Sequence, residues 1–169
     1  ALIDTKKCVD CGLCTKVCPR ENDNDMSKPK WWYQGWADSE IREHASSGGA
    51  ASAIIRAFIK HGGYVASCLF DSGKFVFEVT NEMAVARKFA GSKYVKSNPE
   101  KIYGKIQSLL KANQKVLFIG LPCQVAAVNQ FIKDKTNLVT ADLICHGTPS
   151  PYLLKKCLQE YGHLSLIHI

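Results

Sequence analysis

The stretch "KVLFIGLPCQVAAVNQFIKD" (115–134) decides the fold class of this chain of 169 residues. Its opening "KVLFIG" (115–120) is a short, almost wholly apolar run, which is the pattern of a strand buried on both faces of a sheet. "LPCQVAAVNQFIKD" (121–134) starts a helix immediately after that strand. A strand that leads straight into a helix is the repeating unit of α/β proteins.

The segments that follow repeat this order. "NLVTADLIC" (137–145) is predicted as the next strand. "HGTPSPYLLKKCLQEYG" (146–162) then opens a helix, with Ser150 as its N-cap and Pro151 at its first position. Strand, helix, strand and helix in succession imply parallel strands joined by crossover helices. The predicted fold class is therefore α/β, a mostly parallel sheet with flanking helices.

The preceding residues add two helices and a hairpin. "SSGGAASAIIRAFIKHGG" (46–63) is typical of a glycine-rich turn followed by a helix that ends at two glycines. "YVASCLF" (64–70) and "FVFEVT" (75–80) alternate like the strands of a hairpin, with "DSGK" as the turn. "SNPEKIYGKIQSLLKAN" (97–113) is predicted as a helix with Pro99 in its first turn. Its apolar face consists of Ile102, Ile106, Leu109 and Leu110.

A different kind of signal lies near the N-terminus, in "CVDCGLCTKVCP" (8–19). Four cysteines followed by a proline match the bacterial ferredoxin run C-x2-C-x2-C-x3-C-P, which binds a 4Fe–4S cluster. Zinc is the alternative metal, but zinc sites normally use two separated pairs of ligands. The predicted metal ligands are Cys8, Cys11, Cys14 and Cys18. A small ferredoxin-like iron–sulfur module is therefore expected before the α/β domain.

The fourth cysteine of the run leaves two alternatives. In two-cluster ferredoxins Cys18 would ligate the other cluster, and this sequence has no second run. Either Cys18 serves its own cluster, or a partner motif preceded Ala1. The short lead-in "ALIDTKKC" (1–8) favours the second alternative.

The two ends of the sequence suggest that this chain is a fragment, truncated at both its N-terminus and its C-terminus. It starts without methionine, and its apolar end "LSLIHI" completes no element unless a further strand begins at Leu164. We expect residues 1–37 to be the second half of a ferredoxin-type module with its linker. Residues 38–163 are then the N-terminal part of the α/β domain, and 164–169 a non-native tail. Three tryptophans of the linker are expected to cover its junction with that domain: Trp31, Trp32 and Trp36.

Composition restricts the function classes. Eight cysteines, half of them within eleven residues, indicate reduced, metal-bearing thiolates in a cytoplasmic protein and not a disulfide framework. The net charge of +7 comes from lysines spread along the chain. Because no basic run alternates with aromatic residues, nucleic-acid binding is not expected. No apolar run approaches the ~20 residues of a membrane span.

Two further cysteines lie where parallel strands are predicted to end. Cys123 follows the strand 115–120, and Cys145 closes the strand 137–145. Ligands of α/β proteins bind at the carboxyl edge of the sheet, so these thiols suggest half of a second metal centre. The alternative is that both are small buried hydrophobic residues, which is our interpretation of Cys68 and Cys157.

Glycine-rich turns are the remaining candidates for a binding site. "SSGG" (46–49) before a helix has the form of an anion cradle, although a simple helix N-cap has the same composition. "GSKY" (91–94) adds a lysine and a tyrosine in a second glycine turn. His146 is a proton donor, a ligand, or a hydrogen-bonded loop histidine.

Taken in order, these motifs resemble a known family. After the ferredoxin run come "REHASSGG" (42–49), "GSKYVKS" (91–97), "GLPCQ" (120–124) and "DLICHGTPSP" (142–151). This succession is similar to that of the coenzyme F420 hydrogenase/dehydrogenase beta-subunit family, and it covers nearly all of residues 1–163.

The resemblance implies an iron–sulfur flavoprotein oxidoreductase. FAD would lie between the α/β domain and the iron–sulfur module and exchange hydride with a deazaflavin or a related carrier, while 4Fe–4S clusters carry single electrons. Cys123 and Cys145 would supply two thiolates of another cluster. Partners would be hydrogenase or dehydrogenase subunits or another redox protein, and no acid–base catalyst is assigned. The residues that would line the flavin are Ser46, Ser47, Gly48, Gly49, Gly91, Ser92, Lys93 and Tyr94.

Two other functions remain open at this point. The chain fits an electron-relay module of a larger redox complex, with no catalytic turnover of its own. A zinc-stabilised binding protein is the third hypothesis, and the spacing of the cysteine run argues against it.

Overall fold

The structure, a computed structural model, describes residues 3–16, 18, 21, 29–99 and 101–161. Its strands are β1 (Tyr64–Asp71), β2 (Lys74–Thr80), β3 (Val116–Gly120) and β4 (Leu138–Asp142). Its helices are α1 (Leu13–Lys16), α2 (Ser39–Arg42), α3 (Ala50–Lys60), α4 (Met83–Ala86), α5 (Ile102–Lys111), α6 (Pro122–Phe131) and α7 (Pro151–Tyr161). A 3-10 turn (Arg87–Phe89) continues directly from α4. Within this part of the chain, no helix combines the length and apolar character needed to cross a bilayer.

The strands form one sheet in the order β2-β1-β3-β4. β3 is parallel to both of its neighbours, and β1 and β2 form an antiparallel hairpin. The two residues of the hairpin loop, Ser72 and Gly73, have φ of 48° and 78°. Two positive φ values are what a tight type I′ hairpin loop requires. The predicted fold class of this domain, a mostly parallel α/β sheet, is confirmed.

Helices cover both faces of the sheet, which explains why every residue of β3 is buried. On one face α5 and α6 contribute Ile102, Ile106, Val125 and Val128 to a cluster centred on Phe118. On the other face Ile55 of α3 and Ala86 of α4 pack with residues of β1 and β3. The predicted apolar face of α5 is therefore the face that packs on the sheet.

Two predicted element boundaries differ from the structure. The strand predicted for 137–145 ends at Asp142, so Cys145 lies three residues beyond it. Asp142 pairs with Gly120, the last residue of β3, and β4 is an edge strand whose ladder with β3 ends there. Pro99 precedes α5 and lies outside its first turn; its carbonyl oxygen accepts the Ile102 N–H at 2.9 Å in a lead-in turn.

The predicted start of α7 is confirmed, because Ser150 Oγ accepts the Tyr152 N–H at 3.2 Å. The prediction that three tryptophans cover a domain junction is wrong. Trp31, Trp32 and Trp36 are 75%, 86% and 72% exposed. The Ala37 N–H donates to the Gly48 carbonyl at 2.7 Å and joins the backbone of this segment to the α/β body. The predicted tail at 164–169 lies outside the described residues.

Candidate functional site at the carboxyl edge of the sheet

The strands β1, β3 and β4 run in the same direction, so Asp71, Gly120 and Asp142 end at one edge, here called the carboxyl edge. β2 is antiparallel to β1, which places Phe75 at the start of β2 beside this edge. In open α/β sheets this is the edge at which ligands bind.

The segment 92–98 crosses the carboxyl edge and connects three of the sequence motifs. The Lys96 N–H donates to the Pro149 carbonyl at 3.0 Å, and the Asn98 N–H donates to the Phe75 carbonyl at 3.1 Å. Between them, Ser97 Oγ accepts a hydrogen bond of 3.0 Å from the Gln124 amide. The chain therefore brings "GSKYVKS", "GLPCQ" and "DLICHGTPSP" together.

A fourth motif joins them through two serines. Ser46 Oγ accepts the Ser92 N–H at 2.7 Å, a contact here called the serine junction. Gly91 precedes it with a φ of 80°, and a Cβ on that residue would lie 3.8 Å from Ser46 Oγ. Two groups of residues predicted to line one cofactor are thus in direct contact, although 46 positions separate them in the sequence.

The turn "SSGG" ends at Gly49, the N-cap of α3. Gly49 has a φ of 77°, and a Cβ there would lie 3.1 Å from Ala37 Cβ and 3.3 Å from Ile41 Cγ2. Only glycine combines this backbone conformation with such close packing. Among the described residues, no side chain caps the first turn of α3, so its N–H groups remain available as donors.

The Lys93 side chain folds back onto the backbone that precedes it. Its ammonium donates to the carbonyls of Phe89 and Ala90, both at 2.7 Å, and of Gly91 at 2.8 Å. A longer contact of 3.4 Å joins it to the Lys88 carbonyl. Burial lowers the pKa of Lys93, and the nearby Cys68 sulfur opposes that effect. Tyr94, by contrast, is 52% exposed.

The structure describes all four cysteines of the ferredoxin run. Cys8, Cys11 and Cys14 are exposed and Cys18 is partly buried. Asp10 and Gly12, two of the four residues between the first three cysteines, have φ of 51° and 69°, as a loop with tight turns requires. Their number, type and spacing fit a 4Fe–4S cluster. Within the described ranges, however, no three Cys, His, Asp or Glu side chains are close enough together to hold a metal ion.

Cys123 and Cys145 follow the ends of neighbouring strands, as predicted. Cys123 is the second residue of α6 and is exposed. Cys145 is partly buried, and its Sγ accepts the Gly147 N–H at 3.3 Å. Burial and the nearby Cys123 raise the pKa of Tyr103 to about 12. His146, next to Cys145, is exposed.

Sequence reasoning missed the buried pair Gln124 and Ser97. Besides donating to Ser97, Gln124 accepts the Leu121 N–H on its Oε1 at 2.9 Å. The signal was present, because glutamine at the third position of a helix commonly caps its start. Cys68 belongs to the same polar group: burial raises the pKa of its thiol, while Ser97 and Lys93 lower it. Cys68 is therefore partly buried but not a purely hydrophobic residue.

Two cavities adjoin these motifs. The larger has a volume of about 780 Å³ and includes Ile41, whose side chain adjoins Gly49, and Ala90, which precedes Gly91. Its remaining lining residues are Glu40, His44, Ser52, Ile55, Arg56, Met83, Ala86 and Arg87. The smaller, of about 300 Å³, separates Ser92–Val95 from Gly147, Pro149 and α7. Cys157 lines this smaller cavity.

Comparisons with known proteins agree with these observations. Residues 113–168 match the C-terminal part of the family described as coenzyme F420 hydrogenase/dehydrogenase, beta subunit. Residues 1–21 match the 4Fe–4S binding domain. The predicted resemblance and the predicted iron–sulfur domain are confirmed.

Two relatives extend the comparison. The uncharacterized protein MJ1349 of Methanocaldococcus jannaschii is 27% identical over 141 residues, which are 78% of this chain and 39% of that protein. A chain of the F420-reducing NiFe hydrogenase complex from Methanosarcina barkeri has a TM-score of 0.64 at 21% identity, over 78% of this chain and 49% of that one. The chain thus spans half or less of the length of either relative, and the likeness to the solved structure establishes the fold.

Proposed function

We propose, from the match to the coenzyme F420 hydrogenase/dehydrogenase beta-subunit family, that this chain is part of an iron–sulfur flavoprotein oxidoreductase. In this function electrons pass between a 4Fe–4S cluster and FAD, and hydride is exchanged with a deazaflavin or a related small carrier. The observation that carries the proposal is the serine junction. It joins the two glycine turns that the family resemblance assigns to the flavin, at the edge where α/β proteins bind cofactors.

The local chemistry fits a flavin nucleotide. Ser46, Ser47 and the uncapped first turn of α3 present hydroxyl and N–H groups suited to a phosphate. The adjoining cavity of 780 Å³ lies within the range of about 300–1,000 Å³ that is usual for small-molecule sites. Arg87 and Arg56 on its wall favour an anionic ligand, and Glu40 offsets part of that charge by pairing with Arg56 at 3.2 Å.

The cysteine run would hold the iron–sulfur cluster. Without a metal, four thiolates repel one another. We therefore expect the four side chains to come together only when a metal cluster binds them: Cys8, Cys11, Cys14 and Cys18. Cys123 and Cys145 would contribute two thiolates to another cluster. When bound, flavin supplies two-electron hydride chemistry and the clusters supply one-electron transfer. The chain's own part is to orient the flavin and to hold the clusters in position.

The complete protein is expected to work with other redox proteins. The hydrogenase relative is described as part of a complex, and this chain spans 49% of the matched protein. We propose hydrogenase or dehydrogenase subunits, or a comparable redox protein, as partners in the cytoplasm.

The second candidate is an electron-relay module that transfers electrons without turnover of its own. The exposure of Cys8, Cys11 and Cys14 favours it, because a cluster at the surface exchanges electrons readily with a docked protein. Flavin binding distinguishes the two functions, since a relay module needs no flavin.

Iron content tests the cluster first. After anaerobic reconstitution, we expect about four irons and four labile sulfides per chain, with a fast-relaxing EPR signal after dithionite reduction. The variant Cys11→Ser should lose that signal, whereas Cys157→Ser, on α7, should keep it. Zinc in place of iron would contradict the iron–sulfur assignment.

Flavin titration tests the second part of the proposal. Replacing Ser46 by alanine removes the acceptor of the serine junction and should weaken FAD binding about tenfold, the effect of losing one hydrogen bond of about 1.4 kcal/mol. Ser108→Ala, in the exposed part of α5, is the matched control and should leave binding unchanged. Absence of FAD binding by the wild-type chain would favour the relay module.

A further inference from the structure

Lys93 lies at the end of the helical segment formed by α4 and the 3-10 turn. Carbonyl groups at the end of a helix have no partner further along the helix, and the helix dipole makes this end negative. The Lys93 side chain turns back onto this end and contacts the carbonyls of Phe89, Ala90 and Gly91 at 2.7–2.8 Å. This lysine therefore caps the helical segment that leads into the serine junction.

The three short contacts require the charged form of the side chain. An ammonium group has three N–H donors and a neutral amine has two, so three carbonyls within 2.8 Å match the ammonium. All three N–H donors of the Lys93 ammonium are therefore engaged with backbone carbonyl oxygens. A lysine in a glycine turn commonly suggests a phosphate contact, but here the ammonium is directed at the protein.

The contact with Gly91 reaches the serine junction through one peptide bond. The Gly91 carbonyl and the Ser92 N–H belong to the same planar peptide group, in which oxygen and hydrogen point in opposite directions. Lys93 holds the oxygen at 2.8 Å, and Ser46 Oγ holds the nitrogen at 2.7 Å on the other side. Fixing one end of this rigid group fixes the direction of the other.

We propose that Lys93 is a positioning residue of the site: its ammonium orients the Gly91–Ser92 peptide so that the Ser92 N–H meets Ser46. Lys93 then acts on cofactor binding through the backbone, without touching the cofactor. The consequence for flavin binding rests on the proposed function. The consequence for the Ser92 amide follows from this chain alone.

Hydrogen–deuterium exchange at the Ser92 amide, resolved by fragmentation mass spectrometry of the intact chain, tests the proposal directly. In Lys93→Met this amide should exchange about tenfold faster, which corresponds to about 1.4 kcal/mol of lost protection. Lys96→Met is the matched control, because Lys96 is an exposed lysine of the same segment. It should leave exchange at Ser92 within about twofold of the wild-type rate. Unchanged exchange in Lys93→Met would overturn the proposal.

A second pair of variants separates positioning from a general loss of stability. Ser46→Ala removes the acceptor of the same hydrogen bond and should also accelerate exchange at Ser92. Both changes break the same hydrogen bond, between the Ser92 N–H and Ser46 Oγ. The Ser92 amide of the double variant should therefore exchange at most about twice as fast as that of the faster single variant. Additive acceleration, or an equal acceleration at amides of β3 in Lys93→Met, would mean that Lys93 only supports global stability.

Flavin affinity provides the third readout. Lys93→Met should weaken FAD binding to the same degree as Ser46→Ala, and Lys96→Met should not. Loss of FAD binding with normal exchange at Ser92 would mean that Lys93 contacts the phosphate directly, which overturns the proposal. If the wild-type chain binds no FAD, the proposed function fails in this chain while the exchange measurement still decides the role of Lys93.

Discussion

At the scale of single residues, neighbouring backbone groups can engage a side chain that the sequence assigns to a binding site. Lys93 stands in a glycine turn that the family resemblance assigns to the flavin, and its ammonium contacts three carbonyls within 2.8 Å. Gly49 was expected in a turn, and the structure adds a second requirement for glycine. A Cβ on Gly49 would lie 3.1 Å from Ala37 Cβ. The position of Lys93 depends on the backbone of the preceding turn. The requirement for glycine at position 49 depends on its positive φ and on Ala37, which is distant in sequence.

Tyr103 gives a prediction at this scale. Burial, and secondly the nearby Cys123, raise its pKa from 10.0 to about 12. The folded state therefore holds this proton more tightly than the unfolded state. The resulting contribution to stability is complete below pH 10 and is lost as the pH rises towards about 12. We expect a late step in the ultraviolet titration of tyrosine, together with a falling melting temperature over this range.

Tyr103→Phe is the control for that titration. The variant should lack the late step and retain the remainder of the curve. If the titration curve of the variant still contained the late step, the assignment of that step to Tyr103 would be wrong.

At the scale of elements, the start of α6 is joined to the segment that crosses the carboxyl edge. Gln124 accepts the Leu121 N–H and donates to Ser97, and both residues are 8% exposed. Buried polar groups cost most when only one partner is removed. We expect Gln124→Leu to lower the free energy of unfolding by about 1–3 kcal/mol, because it leaves the Leu121 N–H without its acceptor and removes the donor to Ser97. Urea denaturation measures this change.

Ser97→Ala completes a double-mutant cycle. If the pair acts as one unit, the double variant should lose less stability than the sum of the single losses, with a coupling of at least about 0.5 kcal/mol. Strict additivity would indicate that Gln124 stabilises α6 independently of Ser97.

At the scale of the whole molecule, the hydrophobic core belongs to the α/β body. Its buried clusters comprise residues between Ile55 and Ile132. Residues 3–16 are exposed throughout, and α1 has no buried residue. We therefore expect removal of iron by a chelator to bleach the visible absorbance while the melting temperature of the α/β body changes by less than about 2 °C, which is under 1 kcal/mol.

The control for this measurement is the iron-free variant Cys11→Ser. Its α/β body should have the same melting temperature as that of the wild type. A fall of more than about 5 °C on iron removal would show that the iron–sulfur module contributes to the stability of the body.

What the sequence by itself determined is local. The strand β3, the helix α6 behind it, the hairpin of β1 and β2, and the cap of α7 at Ser150 were all predicted. Each depends on residues a few positions apart, through hydrophobic periodicity, turn chemistry or capping. The ferredoxin run is likewise a local pattern, because one loop supplies all four cysteines.

Tertiary structure alone decided how these elements meet. β4 ends at Asp142 because β3 ends opposite it, and the tryptophans of the linker remain exposed because no described element packs over them. The serine junction joins residues 46 positions apart, and Gln124 meets Ser97 across 27 positions. Such contacts depend on sheet order and on how strands and helices pack in three dimensions. Local sequence patterns do not encode that packing, which is why the site became visible only in the folded chain.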